Sequence, residues 1–325
     1  MSNDKNSDFS ILILAYARPI TLEKIIEICI DSNAKEIFVV VDGPKNFEKI
    51  KTNQAEIFKI LDHFKSKYKN LSVVKFTKNY GCSATLLASC DWVFSKVEKL
   101  IILEDDCVPT SDLFDFAEDT FEIIMNRADI WLGCGSQFYR SSVVIDKNQL
   151  SSYPLNWGWF TTREKWLYIT EQIKLLSDQK IKIKHLKYGN FIERNFWESA
   201  VRRAVIGHTD VWDSLLLILM RARGAKSVLP PLSLITNVGD DEYAVNTTPK
   251  SSGLGTATGT YKFGAQLIEN SNSLDKHLRK KHFRIRTRTI ITSKVTRVLD
   301  YLKPPKYPPL LVRWRDAYQE FNNLL

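Results

Sequence analysis

The chain has 325 residues, of which 44% are hydrophobic and 26% are charged. This composition is typical of a folded globular protein and excludes a disordered chain. The longest apolar run, residues 215–220, is far shorter than the roughly 18 residues that a membrane-spanning helix needs. The polar N-terminus MSNDKNSD does not resemble a signal peptide. Because the five cysteines contain no C-x-x-C pair, we expect reduced thiols in a cytosolic protein.

Short apolar runs alternate with segments of helical period through the first 125 residues. In chain order, we predict strands at 11–15, 36–41, 71–76 and 100–103, and helices at 19–30, 53–68, 84–97 and 111–125. Strands that are apolar throughout are typical of a sheet that is buried on both faces. Together with the intervening helices, they predict an α/β fold whose mainly parallel sheet is flanked by helices.

Polar residues follow each of these strands, at the sheet edge where ligands bind in such folds. The most concentrated group is the acidic triplet, Glu104, Asp105 and Asp106. Adjacent carboxylates repel one another. The triplet is tolerable as a solvated loop before a helix, with Asp112 near its N-terminus, or as a site for a divalent cation. Mg²⁺ bound through one or two carboxylates plus substrate phosphates fits the second interpretation.

The pattern is less regular after residue 125. We predict a strand at 130–134, an irregular aromatic segment at 155–166, a helix at 210–222, a strand at 227–235 and a loop at 251–264. Trp157 and Trp159 either stack on a sugar or pack in the core. Asp210 and Asp213 are candidates for a general base or for the cap of the helix that they precede. Asp210 is better placed as the cap.

The C-terminal segment is strongly basic. Residues 275–325 contain 13 Lys and Arg but only 4 Asp and Glu, whereas the rest of the chain is balanced. We predict two amphipathic helices here, one before Pro304-Pro305 and one after Pro308-Pro309. The first has a face of Ile291, Val295, Val298, Leu299 and Leu302, and the second a face of Leu310, Leu311, Trp314, Tyr318 and Phe321. The tail either binds an anionic membrane with Trp314 and Tyr318 at the headgroups, docks on the core or a second subunit, or binds nucleic acid.

Several motifs together resemble the GT-A glycosyltransferases, and most closely the bacterial family 2-like sugar transferases. They are ILAYARP at 13–19, FVVVDGP at 38–44, NYGCS at 79–83, LIILEDDCVPTSDLF at 100–114, NWGWFTTREKW at 156–166 and the segment at 212–239. The acidic triplet is also similar to that of N-acetylglucosaminyltransferase I. The resemblance covers residues 9–250. It implies a catalytic domain at 1–265, with a nucleotide-sugar half to about 135 and an acceptor half from about 136, followed by a basic helical tail at 266–325.

The resemblance implies a nucleotide-sugar donor, with a UDP-sugar expected, and a role for each matching residue. Ala15, Tyr16 and Arg18 would line the nucleotide, with Arg18 near the diphosphate, and Asp42 would contact the base or ribose. Asn79 and Gly81 would pack close to the donor, Glu104 would join the donor site, and Asp105 would reach the ribose or sugar. Asp106 would bind Mn²⁺ or Mg²⁺, Trp157 and Trp159 would contact the acceptor, and Asp213, or alternatively Asp210, would act as the base.

The sequence departs from the family at one point, where relatives often carry a histidine that helps to bind metal. Here the chain reads Ala244-Val245-Asn246-Thr247, shortly after the acidic stretch 240–242, which either orients the donor sugar or is a solvated loop. A second protein ligand to the metal is therefore in question.

The expected activity is metal-assisted, inverting transfer of a hexosyl or N-acetylhexosaminyl group. The acceptor would be a glycan or lipid-linked oligosaccharide in bacterial surface polysaccharide synthesis, at the inner face of the cytoplasmic membrane. Nucleic acid is not an expected partner, and the sequence does not decide whether the protein forms a homodimer. One alternative is a sugar-nucleotide pyrophosphorylase, although the segment after the first strand lacks a Gly-rich phosphate loop. The other is a non-catalytic carbohydrate- or nucleotide-binding module with a nucleic-acid-binding tail.

Overall fold

The computed structural model describes residues 7–138, 147–178, 186, 188–239, 260–262, 264, 266–269, 272–286 and 288–324. The first part of the chain alternates strands and helices, as predicted. Its elements are β1 (Ser10–Ala15), α1 (Pro19–Ile30), β2 (Ile37–Val41), α2 (Glu48–Lys67), β3 (Leu71–Lys75), α3 (Cys82–Phe94), β4 (Lys99–Glu104), β5 (Cys107–Pro109) and α4 (Asp112–Asn126).

The second part adds strands to the same sheet and ends in helices. Its elements are β6 (Ile130–Cys134), β7 (Asn148–Ser151), β8 (Trp159–Thr162), α5 (Arg163–Ser177), α6 (Phe191–Val205), α7 (Asp213–Arg223), β9 (Lys226–Leu229), β10 (Ile235–Asn237), β11 (Leu267–Ile268), α8 (Asn272–His277), α9 (Arg288–Leu302) and α10 (Leu310–Leu324). A π-helical turn, Leu278–His282, follows α8. The two tail helices lie where the proline pairs predicted them.

The described strands form a nine-stranded sheet in the order β11-β7-β9-β6-β8-β4-β1-β2-β3. The strands β3, β2, β1 and β4 are parallel, whereas β8 is antiparallel to both of its neighbours, β4 and β6. The predicted α/β fold with a mainly parallel sheet is confirmed. The segment predicted to be irregular, 155–166, instead supplies β8 and the start of α5.

The strand predicted at 227–235 is wrong in one respect, because the chain forms two strands there. β9 ends at Leu229, directly before Pro230 and Pro231, which lack the backbone N–H that a central strand needs. β10 then pairs with β5 in a separate two-stranded sheet, in which Asn237 lies opposite Cys107. This small sheet brings the segment after β10 next to the acidic triplet.

Helices cover both faces of the large sheet because the strands alternate their side chains between two apolar layers. Leu12 and Leu14 of β1 belong to one core cluster, with residues of α3, α5, α7 and α10. Ile11 and Ile13 belong to the other cluster, with residues of α1, α2 and α4. The strands β1, β2 and β4 are therefore buried on both faces, whereas β3 at the edge is partly exposed.

Helix α10 docks on the core, which was one of the alternatives for the tail. Phe321 stacks on Trp92 of α3 at a centroid distance of 4.8 Å. Trp314 is only 3% exposed, and its indole N–H donates to Asp91 Oδ2 over 3.1 Å. The prediction that Trp314 lies at membrane headgroups is therefore wrong. Among the described residues, no helix is long and apolar enough to cross a membrane.

Candidate active site

A cleft opens at the carboxyl ends of the parallel strands, where the sequence predicted a ligand site. Every described residue to which the sequence assigned a donor, acceptor, metal or base role lines it, except Trp159. These residues are Ala15, Tyr16, Arg18, Asp42, Asn79, Gly81, Glu104, Asp105, Asp106, Trp157, Asp210 and Asp213. Residues that the sequence did not single out, among them Lys45, Thr85, Asn156 and Trp212, line it as well. Lys45 lies shortly after the end of β2, and this position in the sequence could have marked it as a residue of the cleft.

The carboxylate of Asp105 braces the loop between β1 and α1. Its Oδ2 accepts the backbone N–H groups of Tyr16 over 2.7 Å and Ala17 over 3.2 Å. Its Oδ1 accepts Nη1 of Arg18 over 2.8 Å, and both side chains are largely buried. Asp105 was expected to reach the donor, but its oxygens hold the loop in this structure. The same loop presents Arg18 within 3.7 Å of Asp106 Oδ2.

The carboxylate of Asp42 likewise accepts hydrogen bonds from the segments that follow β2 and β3. Its Oδ1 accepts the N–H groups of Gly43 and Tyr80, and its Oδ2 accepts the N–H of Gly81 and Nδ2 of Asn79, all within 3.0 Å. Burial raises the pKa of Asp42 to about 6, while the hydrogen bonds from Tyr80 and Gly81 act in the opposite direction. Asp42 thus connects two strand ends at the wall of the cleft.

Asp106 projects towards the segment that follows β10. Its Oδ1 lies 3.3 Å from Asn237 Nδ2, and its backbone carbonyl accepts the N–H of Val238 over 2.9 Å. A Cβ on Gly239 would lie only 2.1 Å from Asp106 Oδ2, so the chain passes close to this carboxylate. Unlike Asp105, the side chain of Asp106 remains partly exposed to the cleft.

Glu104 shows that negative charge is concentrated here. Burial raises its pKa to about 8, and repulsion from Asp106, Asp105 and Asp213 adds to the shift, whereas Arg18 opposes it. Oxygen donors that repel one another in this way fit a hard divalent cation such as Mg²⁺ or Mn²⁺. Within the described residues, no group of three or more His, Cys, Asp or Glu side chains is arranged to hold a metal ion. A ligand's phosphate oxygens would have to complete the coordination.

Asp213 and Asp210 have different environments, although both line the cleft. Asp213 is the first residue of α7, and it lines the cleft without forming an ion pair with any residue that the structure describes. Asp213 keeps exposed surface in the cleft, and partial loss of solvation by the surrounding protein raises its pKa to about 6. Asp210 is buried, accepts the backbone N–H of Ser83 over 3.2 Å and pairs with Arg313 Nη1 over 2.9 Å.

The expectation that Asp210 caps the following helix is wrong. The N-cap of α7 is Trp212, which makes no side-chain capping bond, and Asp210 instead binds the N-terminal turn of α3. Its carboxylate is engaged by Arg313 and by the backbone of Ser83, whereas that of Asp213 faces the cleft. Arg313 itself was missed, because nothing in an amphipathic basic helix marks one arginine as a buried partner of the cleft.

The two tryptophans that flank Gly158 also differ. Trp157 lines the cleft and packs edge-on against Phe138 at a centroid distance of 4.9 Å. Trp159 lies in β8, is 1% exposed and contacts Trp212 at 5.1 Å. The predicted contact between Trp159 and an acceptor is therefore wrong, because its side chain is buried in the core. Trp157 lies before β8, and Gly158 with φ 60° separates the two tryptophans, so they need not share a face. The acidic stretch 240–242 and Asn246 lie outside the described residues.

Comparison with known proteins gives structural similarity only. No family model and no curated protein matches the sequence. The fold is similar to S. aureus TarS 1–349, with 10% identity over 72% of this chain and 61% of that chain at a TM-score of 0.41. It is also similar to the mannosyltransferase PcManGT from Pyrobaculum calidifontis, solved with GDP-Man and Mn²⁺, with 11% identity over 73% of this chain and 58% of that chain at a TM-score of 0.45. The chain spans about three fifths of the length of these structures.

Proposed function

We propose that the protein is a glycosyltransferase that moves a sugar from a nucleotide-sugar donor, with a UDP-sugar expected, to a hydroxyl group of a glycan or lipid-linked acceptor. The main support is the convergence of separate segments. The ends of β1, β2, β3 and β4, chosen from their motifs alone, meet in one cleft with Asp213. The resemblance of the same motifs supports a role in bacterial surface polysaccharide synthesis at the inner face of the cytoplasmic membrane.

The chemistry assigned to Asp213 is general base catalysis. In an inverting transfer, the acceptor oxygen forms a bond to the anomeric carbon while the bond from that carbon to the diphosphate breaks. The electron pair of the broken bond leaves with the nucleoside diphosphate, and the acceptor proton moves to the Asp213 carboxylate. Asp213 suits this task because its carboxylate faces the cleft and its pKa of about 6 leaves it charged at neutral pH.

The other side chains would bind and orient the donor. Arg18 is held by Asp105 at the mouth of the acidic triplet, where a guanidinium group suits a diphosphate. Trp157 offers an aromatic face at the acceptor side of the cleft. Asp106 would hold Mn²⁺ or Mg²⁺ together with phosphate oxygens. When bound, the metal would neutralise charge on the diphosphate as a Lewis acid.

The test is a panel of nucleoside diphosphates and their sugars, with the purified full chain and with Mn²⁺, Mg²⁺ or a chelator present. We expect one diphosphate to raise the melting temperature in a metal-dependent way, because a ligand of the native state stabilises it by mass action. The corresponding nucleotide sugar should be hydrolysed slowly, with release of that diphosphate.

Other outcomes would contradict the proposal. Binding without hydrolysis or transfer, for any acceptor supplied, would favour a non-catalytic carbohydrate- or nucleotide-binding module. Formation of a nucleotide sugar from a sugar 1-phosphate and a nucleoside triphosphate would favour a pyrophosphorylase. If a folded sample responds to none of the nucleotides, the acidic triplet is a solvated loop and the proposal fails.

A further inference from the structure

Helix α9 leaves a continuous apolar face in solvent. Five large aliphatic side chains on it are between 48% and 74% exposed: Ile291, Val295, Val298, Leu299 and Leu302. Their spacing places them on one side of the helix. Isolated exposed apolar residues are ordinary on protein surfaces, but a contiguous row of this kind marks an interaction site. No described residue buries this face.

The opposite side of α9 is anchored, so the exposed face has a fixed direction. Asp300 is the acidic residue of the helix, and its side chain is 7% exposed. Its Oδ1 lies 3.3 Å from Arg203 Nε of α6, and its Oδ2 lies 3.9 Å from Arg202 Nη2. His208 Nδ1 lies 3.9 Å from the same carboxylate. The helix therefore directs its negative charge inwards and its aliphatic row outwards.

The surroundings of the aliphatic row are strongly positive. Residues 276–306 contain 11 Lys and Arg, and Asp300 is their only acidic residue. Exposed basic side chains lie on both sides of α9 in the chain, at Lys280, Lys281, Arg284, Arg286, Lys303 and Lys306. An aliphatic row with flanking positive charge and an inward-facing carboxylate is complementary to a surface that is both apolar and anionic.

We propose that α9 binds an anionic phospholipid surface, lying parallel to the bilayer with its aliphatic row among the acyl chains. An interfacial helix of this kind gains from apolar burial and from attraction to anionic lipid headgroups. The helix has 15 residues, and at 1.5 Å per residue it is about 22 Å long, too short to span a core of about 30 Å. It lies on the membrane and does not cross it.

Two other occupants fit the surface less well. A nucleic acid would be attracted by the charge but would gain nothing from five aliphatic side chains, since bases stack on aromatic groups. A second copy of the chain would bring an equally positive surface against the first, and like charges repel at this distance. A membrane satisfies both the apolar and the electrostatic requirement.

The position of α9 also relates the membrane to the cleft. After α9, the N–H of Tyr307 donates to the carbonyl of Gly207 over 3.0 Å. Gly207 precedes the segment that carries Asp210 and Asp213. Membrane contact would therefore hold this side of the cleft near the lipid surface, where a lipid-linked acceptor would be found. Lipid binding itself does not depend on the proposed enzymatic function and can be measured without substrate.

The test is co-sedimentation of the full chain with phosphatidylcholine vesicles that contain 0% or about 30% phosphatidylglycerol. We expect binding to the anionic vesicles only, weakened at high salt. The triple variant Ile291→Ser, Val298→Ser, Leu302→Ser should bind at least about tenfold more weakly, because it removes the exposed aliphatic row. A matched control replaces three exposed apolar residues elsewhere, Ile20→Ser, Phe47→Ser and Leu167→Ser, and should bind as the parent does.

The charge is tested by the variant Lys280→Gln, Lys281→Gln, Lys303→Gln, Lys306→Gln, which should lose at least about tenfold in binding at low salt. All variants should keep the parent's melting temperature, since the replaced side chains are exposed. Absence of binding to anionic vesicles, or equal binding by the α9 triple variant and its control, would overturn the proposal. So would dimerisation through this face in solution, or vesicle binding that is abolished by equimolar RNA or DNA.

Discussion

Arg313 Nη1 lies 2.9 Å from Asp210 Oδ1, and the two side chains are only 6% and 4% exposed. The same guanidinium donates to the carbonyl of Tyr80 over 2.7 Å and, through Nε, to that of Pro308 over 3.1 Å. One residue of α10 thus joins the segment after β3 to the segment before α7. Because Gly81 lies in the first of these segments and Asp213 directly follows the second, the C-terminal helix supports two walls of the cleft.

Loss of Arg313 should destabilise the protein strongly. In Arg313→Met the carboxylate of Asp210 remains buried without its partner, and breaking a buried pair on one side costs about 3–5 kcal/mol. We expect this loss in the free energy of unfolding, measured by urea denaturation. The matched control is Arg315→Met, which removes an exposed arginine of the same helix whose partner, Asp316, is also exposed. Such surface pairs contribute about 1 kcal/mol or less.

Equal effects of the two substitutions would show that α10 docks through its apolar residues alone. A second measurement separates support of the cleft from general stability. Well below the melting temperature, Arg313→Lys should bind the nucleoside diphosphate more weakly than the parent. A lysine has a single nitrogen and cannot bind Asp210 and Tyr80 through one nitrogen and Pro308 through another, as Arg313 does. Unchanged affinity would contradict a positioning role.

The adjacent carboxylates of the acidic triplet should respond differently to the same substitution. In Asp105→Asn an NH₂ group replaces one of the two carboxylate oxygens. This donor then faces either the N–H groups of Tyr16 and Ala17 or the guanidinium of Arg18, which are donors too. We expect the free energy of unfolding to fall by about 3 kcal/mol. In Asp106→Asn repulsion with Glu104 is relieved, so the melting temperature should be unchanged or higher.

The substitution that leaves stability unchanged, Asp106→Asn, should be the one that abolishes metal-dependent activity. Asp106→Asn should remove the metal-dependent stabilisation by the nucleoside diphosphate and lower the turnover of the donor at least about 100-fold, since a carboxylate ligand is lost. The control is Asp62→Asn, an exposed carboxylate on α2. Full metal-dependent activity in Asp106→Asn would exclude it as the ligand, and an undiminished stability of Asp105→Asn would exclude it as the brace of the loop.

The sequence was sufficient for the first half of the fold and for the location of the cleft. β1, β2 and β4 consist mainly of apolar residues, β3 is partly apolar, and helices of regular period separate them. Their type and parallel orientation could therefore be predicted from the hydrophobic pattern. The polar residues at their ends then had to meet at one sheet edge. β8 was missed because its four residues are embedded in an aromatic segment whose pattern is neither helical nor strictly alternating.

The roles within the cleft were harder to predict, because they depend on contacts between distant parts of the chain. Asp42 and Asp105 line the cleft, as expected of donor-site residues, but the sequence did not predict that their oxygens accept hydrogen bonds from neighbouring loops. For Trp314 the sequence left a lipid surface and docking on the core as alternatives, and the hydrogen bond to Asp91 of α3 decides for docking. A residue's type is visible in the sequence, but a partner more than 200 positions away is not.

The rate of transfer should depend on the protonation of Asp213. Loss of solvation raises its pKa to about 6, so the carboxylate is charged and able to accept a proton above this pH and is neutral below it. We expect log kcat/KM to fall with unit slope below about pH 6. Asp213→Asn should abolish transfer but retain the thermal shift with the nucleoside diphosphate, because the substitution removes the base and not the donor site.

The acidic limb of the pH profile distinguishes Asp213 from other groups. Asp213→Glu should retain measurable transfer and a limb at a shifted pH, since a carboxylate is still present. If Asp213→Asn transfers sugar at the parental rate, another group is the base. Asp210→Asn is expected to reduce stability through the loss of its pairing with Arg313, without moving the limb.

Gly81 provides the last prediction, through a comparison with Gly224. Gly81 has φ 83° and ψ 163°, a conformation that is essentially limited to glycine. An added Cβ would also lie 2.3 Å from Asp210 Oδ2 and 2.9 Å from Arg313 Nη1.

Gly224 has φ 67° and ψ 15° at the end of α7, with no atom within 4 Å of an added Cβ. Gly224→Ala should therefore lose only about 1–2 kcal/mol of unfolding free energy, whereas Gly81→Ala should lose about 3 kcal/mol or more and weaken nucleotide binding. Equal losses in urea denaturation would mean that the Asp210–Arg313 pair can move away from the backbone at Gly81, and that it does not set the shape of this wall of the cleft.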